Sequence, residues 1–165
     1  MLAQIGYDRD AVVRYAQTWA MGRNPGFPNF DHMGGDCTNF ASQCIFAGCG
    51  VMNPTPVTGW YCNGLGSRSA SWSGVEFLFA FLTFNNSVGP YAEIAAPETL
   101  LPGDLVQLGD ESGHFYHTPV VLSAENGEVL VAAHTFDALL RPLSTYSFEQ
   151  LRCLHIVGAR SWKTV

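Results

Sequence analysis

Hydrophobic positions repeat at helical spacing in three segments of the first half of the chain. Apolar residues mark one face of a helix over residues 8–21 and again over residues 37–48. Asp36 is the predicted N-cap of the second helix, because a carboxylate accepts hydrogen bonds from the free N–H groups of a first helical turn. Residues 73–76, Ser-Gly-Val-Glu, form a capping box ahead of a third apolar segment, which predicts a third, buried helix.

The second half of the chain changes to short runs rich in Val, Leu and Ile, which is the composition of β-strands. The runs predicted to form strands are residues 104–108, 117–124, 128–134 and 153–159. Asn126-Gly127, between the second and third runs, is the strongest hairpin signal in the sequence. Helices followed by strands predict an α+β fold, with N-terminal helices packed on an antiparallel β-sheet in a single domain over residues 1–165.

Composition and charge narrow the classes of function. The chain has 165 residues, of which 47% are hydrophobic and 13% charged, so it can build one ordinary core. Its net charge is −6 and its eight basic residues are scattered singly, so no nucleic-acid partner and no anionic membrane surface is predicted. No apolar run approaches the roughly 20 residues that a membrane span needs. The charged residues within positions 1–20 do not fit a signal peptide.

Cys37 is the first candidate for chemistry, because it opens the second predicted helix. It is one of five cysteines, an odd number that leaves at least one outside any internal disulfide, and no CxxC pair indicates structural zinc. The positive end of a helix lowers the pKa of a thiol, and the thiolate is the nucleophile. Gly34 and Gly35 leave room for a substrate backbone. The alternative is a small buried thiol that follows a helix cap.

The predicted hairpin selects His117 and His134 from the five histidines. A two-residue turn makes them diagonal neighbours on one face of the ribbon, and Asp137 falls on the opposite phase. One ring can then take the thiol proton while the other orients it. The alternatives are a buried polar contact without catalysis, or a zinc site of Cys37, His114, His117 and His134. The odd spacing of His114 and His117 weakens the zinc alternative, because it points them to opposite faces of a strand.

GGDCTNFASQC, residues 34–44, is the most specific stretch of the sequence. It is accompanied, in order along the chain, by Tyr7-Asp8-Arg9, Gly103-Asp104, His117 before Thr-Pro-Val-Val, and Ala133-His134-Thr135-x-Asp137. These residues resemble the putative amidase domain family, of the papain-like, NlpC/P60 and CHAP group of cysteine amidases and peptidases. The resemblance runs from about residue 7 to residue 157.

The resemblance implies a papain-like core, with no metal or organic cofactor. It maps Cys37 to the nucleophile, His117 to the general base and His134 to the residue that orients the base, with Asp137 as the alternative for that last role. Bacterial cell-wall peptidoglycan or peptides are the implied substrates, and an extracellular or cell-surface location is implied with them. The oligomeric state stays open.

The sequence as a whole predicts a cysteine-dependent hydrolase of amide or peptide bonds. The Cys37 backbone N–H is expected to stabilise the oxyanion. Asp36, Trp60 and Trp72 are the candidate substrate-binding residues, although the two tryptophans could instead pin the long loop of residues 50–72 to the core. The alternative function is a non-catalytic binding module on the same fold.

Overall fold

The computed structural model describes residues 1–163, in which helices dominate the first half. The helices are α1 (Arg9–Trp19), α2 (Cys37–Cys49), α3 (Ala70–Ser73) and α4 (Val75–Phe84). Of these, α1, α2 and α4 correspond to the three predicted helices, and α3 is a short additional turn. No helix within residues 1–163 has the length and apolar character that a membrane crossing requires.

The strands form one large sheet and one small hairpin. The strands are β1 (Leu2–Ile5), β2 (Cys62–Gly64), β3 (Ser67–Arg68), β4 (Gly89–Ala95), β5 (Leu105–Gly109), β6 (Phe115–His117), β7 (Val120–Glu125), β8 (Glu128–Ala133), β9 (Ala138–Pro142) and β10 (Gln150–Trp162). The eight-stranded sheet has the order β1-β10-β5-β7-β8-β9, with β4 also pairing β10 and β6 also pairing β5. Every pairing is antiparallel, and the sheet curls into a half-barrel. The predicted α+β class is confirmed.

Two hydrophobic clusters form the core, one on each face of the sheet. The larger lies between the helices and the sheet, and its buried side chains include Val12, Phe40, Ile45, Leu105 and Ile156. The smaller cluster contains Val106, Leu108, Val121, Val131 and Cys153. Alternating residues of β5 therefore enter different clusters, which follows from the two-residue period of a strand.

The ends of the helices depart from the predicted capping. Asp8 caps α1, with its Oδ1 accepting from the Ala11 N–H at 2.9 Å. Asp36 is the N-cap residue of α2 as predicted, but its carboxylate accepts no hydrogen bond from a backbone N–H of the helix. The predicted capping box ahead of α4 is wrong, since α4 begins after Gly74 without a side-chain cap.

α4 is buried on one face only. Leu78 and Leu82 are fully buried, while Phe77 is 62% exposed and Phe84 is 78% exposed. The prediction of a buried helix is thus correct for the face that meets the sheet and wrong for the other.

The hairpin of β7 and β8 forms at the predicted turn. Asn126 and Gly127 both have positive φ, 54° and 76°, as a two-residue type I′ turn requires. Glu125 pairs with Glu128, but the register shifts between Val121 and Ser123. The strand does not continue to residue 117 as predicted. Pro119 interrupts it, because proline has no N–H to donate to a ladder.

Candidate active site

Cys37 is the first residue of α2, as the sequence predicts. Its backbone N–H donates no hydrogen bond to any acceptor within residues 1–163. Its Sγ lies 3.7 Å from Thr38 Oγ1 and 4.0 Å from the Tyr116 carbonyl oxygen, so β6 passes directly over the start of the helix. The thiol is 7% exposed. The nucleophile candidate therefore lies just beneath the surface, between α2 and β6.

The thiol of Cys37 is not activated in the way its position predicts. Burial raises the pKa of Cys37 above its ordinary value, while a hydrogen bond from Thr38 and the backbone N–H groups of Thr118 and Thr38 lower it by less. The negative charge of Asp36 raises it further. The expectation of a lowered pKa is corrected, because removal from water outweighs the helix terminus. The resting thiol is protonated at neutral pH.

Asp36, immediately before Cys37, is fully buried and its carboxylate is well satisfied. Oδ1 accepts from the Phe30 N–H and from Asn39 Nδ2, each at 2.8 Å, and Oδ2 lies 2.5 Å from His134 Nδ1. A carboxylate that is both buried and bonded in this way cannot bind substrate. The prediction of Asp36 as a substrate-binding residue is corrected: it fixes the entry of the chain into α2.

His134 is held from both sides of its ring. Nδ1 faces Asp36 Oδ2, Nε2 lies 2.8 Å from the Trp19 carbonyl oxygen, and the ring stacks on Phe40 with centroids 4.0 Å apart. Both nitrogens therefore face oxygen atoms of the protein. Since both nitrogens are occupied, His134 does not orient His117 in this structure. Its contacts instead connect α1 and β8 to the residue before Cys37.

Trp60 and Trp72 are both fully buried. The prediction that they line a substrate groove is therefore wrong. Their rings pack against each other with centroids 4.7 Å apart. Trp72 Nε1 donates to Asn39 Oδ1 at 2.8 Å, and Trp60 Nε1 donates to Ser42 Oγ at 3.0 Å. The alternative is the one observed: the tryptophans fasten the long loop to the polar face of α2.

The polar residues of the stretch 34–44 are thus accounted for by buried hydrogen bonds. Thr38 Oγ1 lies 3.2 Å from Thr118 Oγ1, and Gln43 Oε1 accepts from the Tyr15 hydroxyl at 2.5 Å. Asn39 and Ser42 bind the two tryptophans. Cys37 has only long sulfur contacts, so its side chain has no comparable structural role.

His117 lies in β6, where it pairs with Leu108 of β5 rather than with the β7–β8 hairpin. The predicted neighbourhood of His117 and His134 on one ribbon is therefore wrong. The His117 ring is 8% exposed, makes no hydrogen bond to any of residues 1–163, and packs 5.7 Å from the Tyr146 ring centroid. Burial, and then the positive charge of Arg141, lower the pKa of His117 to about 4. At neutral pH the ring is an uncharged imidazole.

Asp137 is committed to another partner. Its carboxylate accepts two hydrogen bonds from the Arg23 guanidinium, at 2.9 and 3.0 Å, so it does not orient His117 here either. Arg23 also binds Asp31 at 2.9 and 3.0 Å and lies 3.6 Å from Asp36 Oδ2. The sequence did not indicate that Arg23 belongs to this site. No motif near residue 23 predicts that its side chain contacts Asp137.

A family model described as a putative amidase domain matches residues 6–157. The chain belongs to the putative amidase domain family. It is also similar to the uncharacterized protein YhbB of Bacillus subtilis (strain 168), with 36% identity over 140 residues. That match covers 82% of this chain and 43% of YhbB, so the chain spans less than half the length of this relative. No solved structure matches the chain.

The family is the one that the sequence motifs indicate, and amide hydrolysis is the activity that its description names. The match extends through every residue of the site just described. The papain-like fold and the kinship with the NlpC/P60 and CHAP group remain predictions.

The amidase domain has no cluster that would hold a metal. Within residues 1–163, no group of three or more His, Cys, Asp and Glu side chains is arranged around a common point. The side chains of the alternative zinc site, from Cys37, His114, His117 and His134, form no such group.

A cavity of about 640 Å³ lies away from Cys37. It is lined by α4 and the loop around residues 53–58, with Phe77, Phe81 and Phe84 on one side. It has no acidic, basic, histidine or cysteine side chain in its lining, so it offers no thiol and no side chain that exchanges protons near neutral pH.

Proposed function

We propose that this chain is a cysteine-dependent hydrolase of amide or peptide bonds, with Cys37 as the nucleophile. The observation that carries the proposal is the place of Cys37 at the start of α2, with a free backbone N–H and with Sγ against the carbonyl of Tyr116, the residue before His117. Buried hydrogen bonds explain the Asp, Thr, Asn, Ser and Gln side chains of the 34–44 stretch, and Cys44 is packed in the core, whereas Cys37 has neither explanation. Membership of an amidase family supports the same chemistry.

In the proposed mechanism, a neutral thiol meets a neutral imidazole. His117, uncharged at neutral pH, takes the Sγ proton as Sγ forms a bond to the substrate carbonyl carbon. The Cys37 N–H donates to the oxyanion that results. Collapse breaks the carbon–nitrogen bond, and the imidazolium gives its proton to the leaving amine. Water, deprotonated by His117, then attacks the thioester and releases the acid and the thiol.

His134 acts in this scheme as a positioning residue. It holds Asp36, and Asp36 holds the Phe30 backbone and Asn39, so the start of α2 is fixed on three sides. Gly35 contributes to the same fixation. It has φ of 106°, and a Cβ there would lie 2.9 Å from Thr135 Oγ1, which accepts the Asp36 N–H at 2.9 Å.

The proposal extends to peptides, including those of bacterial cell-wall peptidoglycan, as the substrate class. This extension depends on the resemblance of the 34–44 stretch to the NlpC/P60 and CHAP group. The second candidate is a non-catalytic binding module, which the low exposure and raised pKa of Cys37 favour.

The deciding experiment is digestion of purified wall fragments and synthetic peptides, with products mapped by mass spectrometry. The parent protein is expected to release products and, after an acid quench, to carry an acyl group on Cys37. Cys37→Ala should lose turnover by at least about a thousandfold and retain its circular dichroism spectrum.

Cys49→Ala is the matched control, because Cys49 is at the opposite end of α2 and is similarly buried, at 8% exposure. It should keep the parent rate. Equal rates for the parent and Cys37→Ala would exclude the proposed mechanism. Binding of fragments by the parent without turnover or an acyl adduct would establish the binding module instead.

A further inference from the structure

A cavity of about 290 Å³ is lined in part by Tyr116, whose carbonyl contacts Cys37. We call it the His117 pocket and define it by His117, Thr135, Phe136, Arg141 and Tyr146 in its lining. Two contacts place it next to the nucleophile candidate: Tyr116, another lining residue, presents its carbonyl to Cys37 Sγ, and Thr135 Oγ1 accepts the Asp36 N–H. A group bound in the pocket would therefore lie close to an amide bond presented to Sγ.

The pocket contains a cation without a counterion. Arg141 donates from Nε to Thr145 Oγ1 at 2.9 Å and from Nη2 to the Thr145 carbonyl at 3.0 Å. Its Nη1 donates no hydrogen bond within residues 1–163, and no carboxylate of those residues forms an ion pair with it. The other arginine near the site, Arg23, is in contrast bound to two aspartates.

The pocket also contains an orphaned hydroxyl. Tyr146 Oη is the buried side-chain polar atom that has no well-aligned hydrogen bond in residues 1–163. Burial raises the pKa of Tyr146, and its polar neighbour is the Arg141 guanidinium, which partly offsets that rise. The Arg141 guanidinium carbon lies 3.7 Å from the centroid of the same ring, so the cation and the hydroxyl are fixed together. A buried polar group without a partner is unfavourable, and a ligand that accepts its hydrogen bond removes that cost.

The Arg141 guanidinium and the Tyr146 phenol each retain a donor without an acceptor in residues 1–163. His117, Thr135 and Ser147 add groups to the lining that can also accept. The lining includes no acidic side chain, and a short side chain or a chain terminus fits its volume. A planar, negatively charged acceptor with two oxygens matches this arrangement, because arginine binds carboxylates through paired N–H groups.

We propose that the His117 pocket binds a carboxylate of the substrate, next to the amide bond that Cys37 attacks. This inference depends on the proposed function for its setting, and it narrows the substrate class to amides and peptides that carry an acidic group near the bond cleaved. A main-chain terminal carboxylate and a side-chain carboxylate share the required chemistry.

The test measures binding without turnover. Cys37→Ala protein is titrated with sodium acetate and, separately, with acetamide as the neutral counterpart, while the Arg141 side-chain N–H and the Tyr146 ring signals are followed by NMR. Acetate is expected to bind at least tenfold more tightly than acetamide and to shift both sets of signals. Equal binding of the two probes, or shifts confined to other arginines, would overturn the inference.

Three further variants of the Cys37→Ala protein sharpen the test. Arg141→Gln should abolish the preference for acetate, and Tyr146→Phe should weaken acetate binding several-fold while leaving the ring and the fold in place. Arg14→Gln is the matched control, because Arg14 is an exposed arginine of α1 outside the pocket lining and its loss makes the same change in net charge. A preference that survives both pocket variants would contradict the assignment.

The source of the carboxylate is distinguished with two larger probes. N-acetylglycine presents a terminal carboxylate, and the α-amide of N-acetylglutamate presents only a side-chain carboxylate. The probe that binds more tightly, and loses affinity in Arg141→Gln, identifies the source. Acetate binding with no hydrolysis of any peptide would count against the proposed function alone, whereas hydrolysis by Cys37 with no preference for carboxylates would count against the pocket alone.

Discussion

Two buried aspartates, Asp36 and Asp104, have similar partners and different positions. Both are fully buried, and both contact the Nδ1 of a histidine, His134 at 2.5 Å and His155 at 3.1 Å. Asp104 also accepts from Arg9 at 2.8 Å and from the backbone N–H groups of Leu101 and Ile156. Asp104 joins the start of α1 to β10, far along the chain, while Asp36 is itself the residue before the Cys37 thiol.

The two clusters differ most in their contact with water. His155 and Arg9 have side chains that are 26% and 25% exposed, whereas the His134 side chain is 1% exposed. An ion pair at the surface can lose one partner and be repaired by water, but an enclosed pair cannot. The same pair of residue types therefore connects two elements in one place and supports the segment before the proposed nucleophile in the other.

Removal of each carboxylate is the strongest test of the difference between the Asp36 and Asp104 clusters. Asp36→Ala and Asp104→Ala should each lower the free energy of unfolding by about 3–5 kcal/mol, because each leaves buried donors without an acceptor. Urea denaturation at pH 7 measures this loss.

Only Asp36→Ala is expected to change the rate at which iodoacetamide labels Cys37 under native conditions. The Asp104→Ala variant provides the control for general loosening of the fold. Equal changes in labelling rate for the two variants would show that the Asp36 cluster is no more specific to the thiol than the Asp104 cluster.

His117 sharpens the comparison, because it is a buried histidine with no carboxylate partner. Its pKa in the folded protein, about 4, is below the value near 6.5 of an unfolded chain. The unfolded state therefore binds the proton first, and stability is lost as the pH falls from about 6.5 to 4, by up to roughly 3 kcal/mol.

His117→Gln should remove this part of the pH dependence. The check is urea denaturation of the parent and the variant at pH 7 and at pH 4.5. His155→Gln serves as the control, since the His155 ring is partly exposed and paired. A parent and His117→Gln protein that lose the same stability between the two pH values would contradict the assigned environment of the ring.

The smallest expected effects on stability come from replacing His134 and His155, the two histidines that contact a buried aspartate. His134→Gln is expected to cost about 2 kcal/mol of stability, because it removes two buried hydrogen bonds and the contact with Phe40. His155→Gln should cost less than about 1 kcal/mol, since Asp104 keeps Arg9 and two backbone donors. Thermal melts of the two variants measure the difference, and equal melting temperatures would show that enclosure makes no distinction.

The parts of the fold that depend on local pattern were predictable from the sequence. Apolar spacing and the Gly at position 50 located α2 closely, and Asn126-Gly127 located the β7–β8 turn. β1, β4 and β9 were not predicted. β1 and β4 are completed by β10, and β9 is completed by β8, so their formation depends on partners distant in the chain rather than on their own composition.

In the candidate site, the position of Cys37 was predictable, whereas the contacts of His117 and His134 were not. A cysteine opening a helix is a local signal, and it located Cys37. The His117–His134 neighbourhood depended on a register that continues through Pro119, and that proline moves residue 117 onto a different partner strand. Arg141 lies in β9 and Tyr146 follows that strand. The sequence did not indicate β9, so the contact of these residues with His117 had no signal along the chain.

All five cysteines lie within the described residues, and none is bonded to another. Reducing agents therefore have no covalent cross-link of this fold to cut. The stability of the fold therefore does not depend on a disulfide that a reductant could break. A reductant that keeps the Cys37 thiol reduced should leave the melting temperature of the protein unchanged.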